Sequence, residues 1–175
     1  MSEKLADIQY NFINLPSRIE FENGHVISYL YDADGIKLRT THIIGSDTTV
    51  TDYCGNVIYE NGIPVKLLTE AGYVTLADSK YHYFVQDHLG NNRVVVDQSG
   101  NVEEVNHYYP FGGLLSSSVS NAVQPYKYNG KELDRKNGLD WYDYGARMYD
   151  AALGRWHAVD PMSEKYYSWS PYTYC

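Results

Sequence analysis

The sequence predicts an all-β fold: antiparallel hairpin repeats forming a curved sheet strip, a Tyr/Trp-rich C-terminal segment, and little helix. Three observations carry that prediction. Tyrosine is in excess, with 19 Tyr against 4 Phe and 3 Trp in 175 residues. Tyrosine favours strands and combines an apolar ring with a hydroxyl that needs a partner or solvent. Turn dipeptides punctuate the chain: Asn23-Gly24, Asp34-Gly35, Asn61-Gly62, Ser99-Gly100, Asn129-Gly130 and Asn137-Gly138. Such pairs tolerate the positive φ of tight hairpin turns. Between the turns lie short β-rich runs with period-2 alternation, and residues 1–110 show no helical periodicity.

The runs Val26–Tyr31 and Ile36–Ile44 flank Asp34-Gly35 as the two arms of a hairpin. In the second arm, alternation places Ile36, Leu38 and Thr40 on one face and Lys37, Arg39 and Thr41 on the other. Related units follow. Tyr31-Asp-Ala-Asp-Gly35, Tyr53-Cys-Gly55, Asp87-His-Leu-Gly90 and Asp97-Gln-Ser-Gly100 read as loosely repeated turns. A lone hairpin is marginal in water, so successive hairpins are expected to pair edge to edge into one long sheet. Residues 114–124 are small and polar and read as a flexible loop. Residues 126–175 hold all three Trp and nearly half of the Tyr. Ser170-Pro171 carries the signature of a helix N-cap and first helical residue, which predicts a short helix there.

Composition excludes several classes. The net charge of −8 argues against nucleic-acid binding. No apolar run reaches the roughly 18 residues of a membrane helix, so insertion by a helix is not expected. Residues 1–10 lack the apolar core of a signal peptide. Two cysteines, Cys54 and Cys175, are too few for a disulfide framework or a zinc site. Mean hydropathy is −0.47, as for a chain with much surface relative to its core. No cofactor or metal is expected. Asp32-Ala-Asp34-Gly35 opens like a calcium loop, but Ile36 and Ile43 stand where ligands would be needed. The six histidines, at 25, 42, 82, 88, 107 and 157, show no metal spacing and read as surface or turn residues. The rings between 141 and 156 suit either a core or stacking on sugars.

Taken in order, Asp87-His-Leu-Gly-Asn-Asn-Arg-Val94, Tyr108-Tyr-Pro-Phe-Gly112, Tyr128-Asn-Gly-Lys-Glu-Leu133, Gly138-Leu-Asp-Trp-Tyr-Asp-Tyr-Gly-Ala-Arg147-Met-Tyr-Asp150, Leu153-Gly-Arg-Trp156 and Asp160-Pro161 resemble the RHS repeat-associated core domain. The preceding Tyr-Asp-x-x-Gly units resemble RHS or YD repeats. The resemblance divides the chain into repeats over 1–80 and a core domain over 81–175, cut short at its C-terminus. It implies a β-strip spiralling into a shell that encloses a C-terminal toxin or cargo, with the core domain as a plug at one end. It also implies a secreted or cell-surface bacterial protein. The partners it implies are upstream repeats and a downstream cargo of the same polypeptide. Some members of the family cut their own chain like an aspartic protease. The resemblance assigns an Arg and an Asp of that device to Arg147 and Asp160, and expects a second Asp beyond Cys175. Two carboxylates sharing a proton can activate water and protonate the scissile amide, and an Arg can steady the charge. With one Asp, this chain is expected to be proteolytically inert.

Three functions follow: a shell and plug segment, an autoprotease completed by downstream sequence, or a surface adhesion module binding glycans through exposed rings. Simpler roles stand beside the catalytic ones. Arg147 can form a plain ion pair with Asp143, Asp150 or Asp160. Asp150 can cap a turn, and Asp160 before Pro161 can shape one. A repeat fragment also exposes strand edges, which predicts self-association.

Overall fold

The computed structural model describes residues 4–116, 118 and 124–174. Eleven strands run in chain order through one antiparallel sheet: β1 (Leu5–Tyr10), β2 (Pro16–Phe21), β3 (Val26–Tyr31), β4 (Lys37–Ile44), β5 (Asp47–Cys54), β6 (Val57–Glu60), β7 (Ile63–Thr69), β8 (Gly72–Thr75), β9 (Lys80–Gln86), β10 (Asn92–Asp97) and β11 (Val102–Val105). A second sheet follows, built from β12 (Glu132–Asp134), β13 (Trp141–Asp143), β14 (Met148–Asp150) and β15 (Arg155–Trp156). Among the described residues, helix is confined to three single turns of 3₁₀ type: Tyr128–Gly130, Lys136–Gly138 and Ser163–Lys165.

The repeated turns share one hydrogen-bond device. Asp32 Oδ1 accepts from the backbone N–H of Asp34 (2.9 Å) and Ile36 (2.8 Å). Asp87 Oδ1 does the same for Leu89 (3.0 Å) and Asn91 (3.1 Å), and Asp97 Oδ1 for Ser99 and Asn101 (both 2.8 Å). The residue three places after each Asp turns the chain at positive φ, as Gly35 does at 84°. Only glycine adopts that conformation without steric cost. Asn11 repeats the device with Ile13 and Leu15, in a turn whose fourth residue is Asn14 rather than Gly. The Asp32 carboxylate therefore serves its own turn.

The predicted facing of β4 is corrected. A register shift against β3, between Leu30 and Tyr31, leaves Leu38 as an extra residue. Such a bulge reverses the alternation on one side of it. Lys37, Thr40 and His42 consequently share the inner face, whereas Ile36 and Leu38 are 61% and 39% exposed. Ile36 and Leu38 therefore do not share the face of Thr40, as the alternation alone predicted.

The small sheet is buried on both faces, and alternation sorts its residues. One cross-strand row, Leu133, Tyr142, Tyr149 and Trp156, packs with Tyr128, Tyr108 and Leu114. On the opposite face Trp141 and Met148, with Leu139, form a second core with Ile19, Phe21, Ile27 and Tyr29 of β2 and β3, and Ile8 of β1 packs against it. Far along the long sheet, Asn92 of β10 bonds the segment leading into the small sheet, through Lys127 O (3.1 Å) and Tyr126 O (2.8 Å). Eleven strands laid flat would span about 48 Å. Contacts from β1–β3 and from β10 to one short segment require the long sheet to curl around it, as the right-handed strand twist permits.

Three tyrosine hydroxyls explain why the rings are not Phe. Tyr128 donates to Pro110 O (3.1 Å), Tyr149 to Phe111 O (2.8 Å) and Tyr142 to Gly112 O (2.8 Å). Three consecutive carbonyls of the Tyr-Pro-Phe-Gly turn are thus captured, two from the small sheet and one from the 3₁₀ turn that precedes it. A Cβ at Gly112 would lie 2.5 Å from the Tyr128 ring, so glycine is required there.

One other expectation changes. Ser170-Pro171 opens a turn, not a helix: Thr173 N–H donates to Ser170 O at 3.0 Å, and Thr173 then bridges to Arg155. In the loop over 114–124, Leu114 bridges to Tyr108, Ser118 Oγ bonds His107, and Gln124 is buried. Residues 117 and 119–123 of that loop lie outside the described residues.

The hydroxyl capture predicts that Tyr142→Phe leaves the Gly112 carbonyl buried without its donor. We expect a loss of about 1–3 kcal/mol in unfolding free energy, measured by denaturant titration. A change within error would show that this bond adds nothing.

Candidate functional site

The face of the small sheet turned to the long sheet carries Glu132, Asp134 and Asp143 around Trp141 and Met148. Glu132 and Asp134 are two apart in β12, and Asp143 pairs with Glu132 across the strands. Each carboxylate meets donors from the long sheet. Lys37 Nζ lies 2.8 Å from Glu132 and 2.7 Å from Asp143. Tyr53 donates to Glu132 at 2.6 Å. Asp134 accepts from Tyr29 (2.8 Å) and from His42 Nε2 (3.0 Å). At one side His25 meets Asn137 at 2.8 Å.

Burial alone would lower the pKa of Lys37, but Glu132, Tyr53 and Asp143 outweigh it and hold it well above its ordinary value. Burial alone would raise Asp134; the hydrogen bond and charge of His42, with the Tyr29 hydroxyl, hold it below its ordinary value. A cavity of about 370 Å³ lies beside this row, lined by Tyr53, Lys66, Lys127, Glu132 and Asp134 among others. The expectation of surface or turn roles for the histidines is corrected at two positions. His42 and His82 are each 6% exposed, and His82 Nδ1 lies within hydrogen-bonding distance of Glu103. Among the described residues no group of His, Cys, Asp and Glu is placed to hold a metal.

Sequence reasoning missed this row. Its signal was present: alternate acidic residues in Glu132-Leu-Asp134 put two carboxylates on one strand face. Nothing local indicated that the opposing face would supply Lys37, which depends on the bulge at Leu38.

The structure brings Arg147 and Asp160 together. Arg147 Nη2 lies 3.0 Å from Asp160 Oδ2, with the guanidinium carbon 4.4 Å from the Trp156 ring centroid. Asp160 is itself fixed by its neighbours: Oδ1 accepts from Met162 N–H (2.7 Å), and its own N–H donates to Pro171 O (2.9 Å). It also shapes the turn into Ser163. The alternative partners of Arg147 are engaged elsewhere. Asp143 pairs with Lys37, and Asp150 caps its turn through Ala152 (2.8 Å) and Leu153 (3.0 Å). Arg147 Nη1 is buried without a hydrogen-bond partner among the described residues. Trp141 and Tyr149, at 2% and 0% exposure, belong to the core and present no ring for stacking on sugars.

A hairpin strip turned by Asp-x-x-Gly units, curled around a small sheet whose tyrosines hold a Pro-Phe-Gly turn, defines a β-repeat shell protein. The family model described as Teneurin YD-shell matches residues 67–172, and the chain belongs to that family. Salivary gland surface protein 1 of Aedes aegypti is 30% identical over 200 residues, covering 99% of this chain and 6% of that protein. Toxin subunit YenC1 of Yersinia entomophaga is 30% identical over 128 residues, covering 63% of this chain and 13% of that protein. The solved Photorhabdus luminescens Tc holotoxin pore matches the fold with a TM-score of 0.72 at 19% identity, covering 89% of this chain and 9% of that one. A TcdB2-TccC3 crystal structure matches with a TM-score of 0.71, also at 19% identity, covering 91% of this chain and 9% of that one. The chain therefore spans a small fraction of each relative.

The depressed pKa of Asp134 predicts an acid limb of stability. Its contribution is full above its unfolded value, near pH 4, and is lost as pH falls through the lower folded value. Denaturation midpoints measured against pH should fall on acidification in the natural chain. They should fall less steeply in Asp134→Asn, which starts from a lower plateau. Equal slopes in the two proteins would refute this role.

Proposed function

We propose that this chain is the closing portion of a YD-repeat shell that encloses a cargo segment of the same polypeptide, a toxin by analogy with the Yersinia relative, outside the cell or at its surface. The observation that carries this reading is the small sheet seated on the inner face of a sheet curled around it. The long sheet supplies the wall, and residues 124–174 supply the plug. The division near residue 80 between repeats and core domain is part of this proposal, and strand pairing continues across it from β8 to β9. The partners are the preceding repeats and a following cargo, and delivery of that cargo is the work of the whole protein.

The test uses the full-length protein. Limited proteolysis should leave the cargo segment protected while the shell is intact. Trp141→Asp, which places a charge in the apolar contact between plug and wall, should make it cleavable. Equal cleavage of the cargo in both proteins would overturn the enclosure reading.

A second reading rests on the Arg147–Asp160 pair, held at 3.0 Å near the C-terminal end. In it, Asp160 is one carboxylate of an aspartic-type autoprotease that releases the cargo, and a second Asp is supplied by downstream sequence. Asp160→Asn in the full-length protein should abolish a defined cut after the plug, read by mass spectrometry. Persistence of the cut would exclude this role for Asp160, and would leave the enclosure reading standing.

A further inference from the structure

A buried polar knot joins the last strand of the long sheet to the segment entering the small one. Glu104 and Asn106 are 0% exposed and Lys127 is 2% exposed. Glu104 Oε1 receives Lys127 Nζ and Asn106 Nδ2, together with Gln124 Nε2 at 2.9 Å. Asn106 Nδ2 also donates to Asn92 O at 3.1 Å, which fixes the amide assignment. Two nitrogens that bond one oxygen lie within about 6 Å of each other. The Asn106 carbonyl oxygen has no hydrogen-bond partner among the described residues, so turning the amide costs only the bonds that Nδ2 makes.

We propose that Lys127 and Asn106 become joined by an intramolecular isopeptide bond, with Glu104 as the proton carrier. The chemistry needs an uncharged amine, an amide carbon within reach, a carboxylate touching both groups, and exclusion of water. Burial lowers the pKa of Lys127, against the opposing effect of Glu104, and so favours the neutral amine. Rotation of the Asn106 amide presents its carbon to Nζ. The Nζ lone pair attacks Cγ and forms the new C–N bond. Glu104 takes a proton from Nζ and passes one to Nδ2. The Cγ–Nδ2 bond then breaks and ammonia leaves. Glu104 ends as it began, no electrons are transferred, and no co-reactant is required.

The bond would close a loop of residues 107–126, tying β11 of the wall to the segment that enters the small sheet. A covalent tie of this kind restricts the unfolded chain as a disulfide does. It would do so in a protein whose Cys54 is a free, exposed thiol. The proposal does not depend on the shell reading.

The test is the intact mass of the purified chain, followed by peptide mapping. We expect a mass one ammonia below that of the sequence, and no tryptic cleavage after Lys127. Chymotrypsin cuts between the two residues, after Tyr108 or Phe111, and should leave a branched peptide joining Asn106 to Lys127. Glu104→Gln should show the full sequence mass. The full mass in the natural chain overturns the proposal. So does an ammonia loss that maps to a cyclic imide at Asn23, Asn61, Asn129 or Asn137, each of which precedes Gly, or to a link at Gln124. A linked Glu104→Gln chain would overturn the role of Glu104.

Discussion

The row of carboxylates on β12 and β13 fixes how the two sheets meet. Apolar contact alone does not set a register: Trp141, Met148 and Leu139 could slide over the aliphatic and aromatic surface of β2 and β3 at little cost. Glu132, Asp134 and Asp143 cannot, because each must find Lys37, Tyr53, Tyr29 or His42 in one alignment. An unpaired carboxylate at this depth would cost several kcal/mol. The curl of the long sheet, the placement of the tyrosine-lined core behind the small sheet, and the path of residues 124–136 between them all follow from that alignment.

Much of the fold was legible because the turns are local. An Asp that bonds the amides two and four residues later, and a Gly that turns the chain, act within five residues. Asp32, Asp87 and Asp97 announce themselves without reference to the rest of the molecule. The small sheet was less legible. Its strands are two or three residues long, and what identifies them is the distant Pro-Phe-Gly turn that their hydroxyls hold. Facing was misread at β4, because a bulge depends on register with a neighbour and leaves no mark in the alternation of Ile36, Leu38 and Thr40. Ser170-Pro171 was misread for a related reason: the pairing of Thr173 with Arg155 draws the chain into a bridge despite a good local helix start.

Of the candidate site, Arg147 and Asp160 were named from the sequence, and they do meet. The same geometry serves architecture. The guanidinium lies over Trp156, and Asp160 organises the turn that returns the chain to β15 through Pro171. A charged pair with such anchoring is already rigid before any chemistry is asked of it, and preorganised placement is what an electrostatic catalyst needs. The carboxylate row escaped notice because its partners come from strands about 80–105 residues away.

The Asp-x-x-Gly turn has a consequence for evolution. At Asp32 and Asp97 the carboxylate is satisfied within the turn itself, so it makes no demand on adjacent hairpins. Each hairpin asks of its neighbours only a strand edge and an apolar face. Hairpins that supply no partner to the carboxylate row can therefore be duplicated or deleted without disturbing chemistry elsewhere, whereas β3, β4 and β5 cannot. In such an architecture, the length of the strip is a quantity that gene duplication can adjust in steps of two strands.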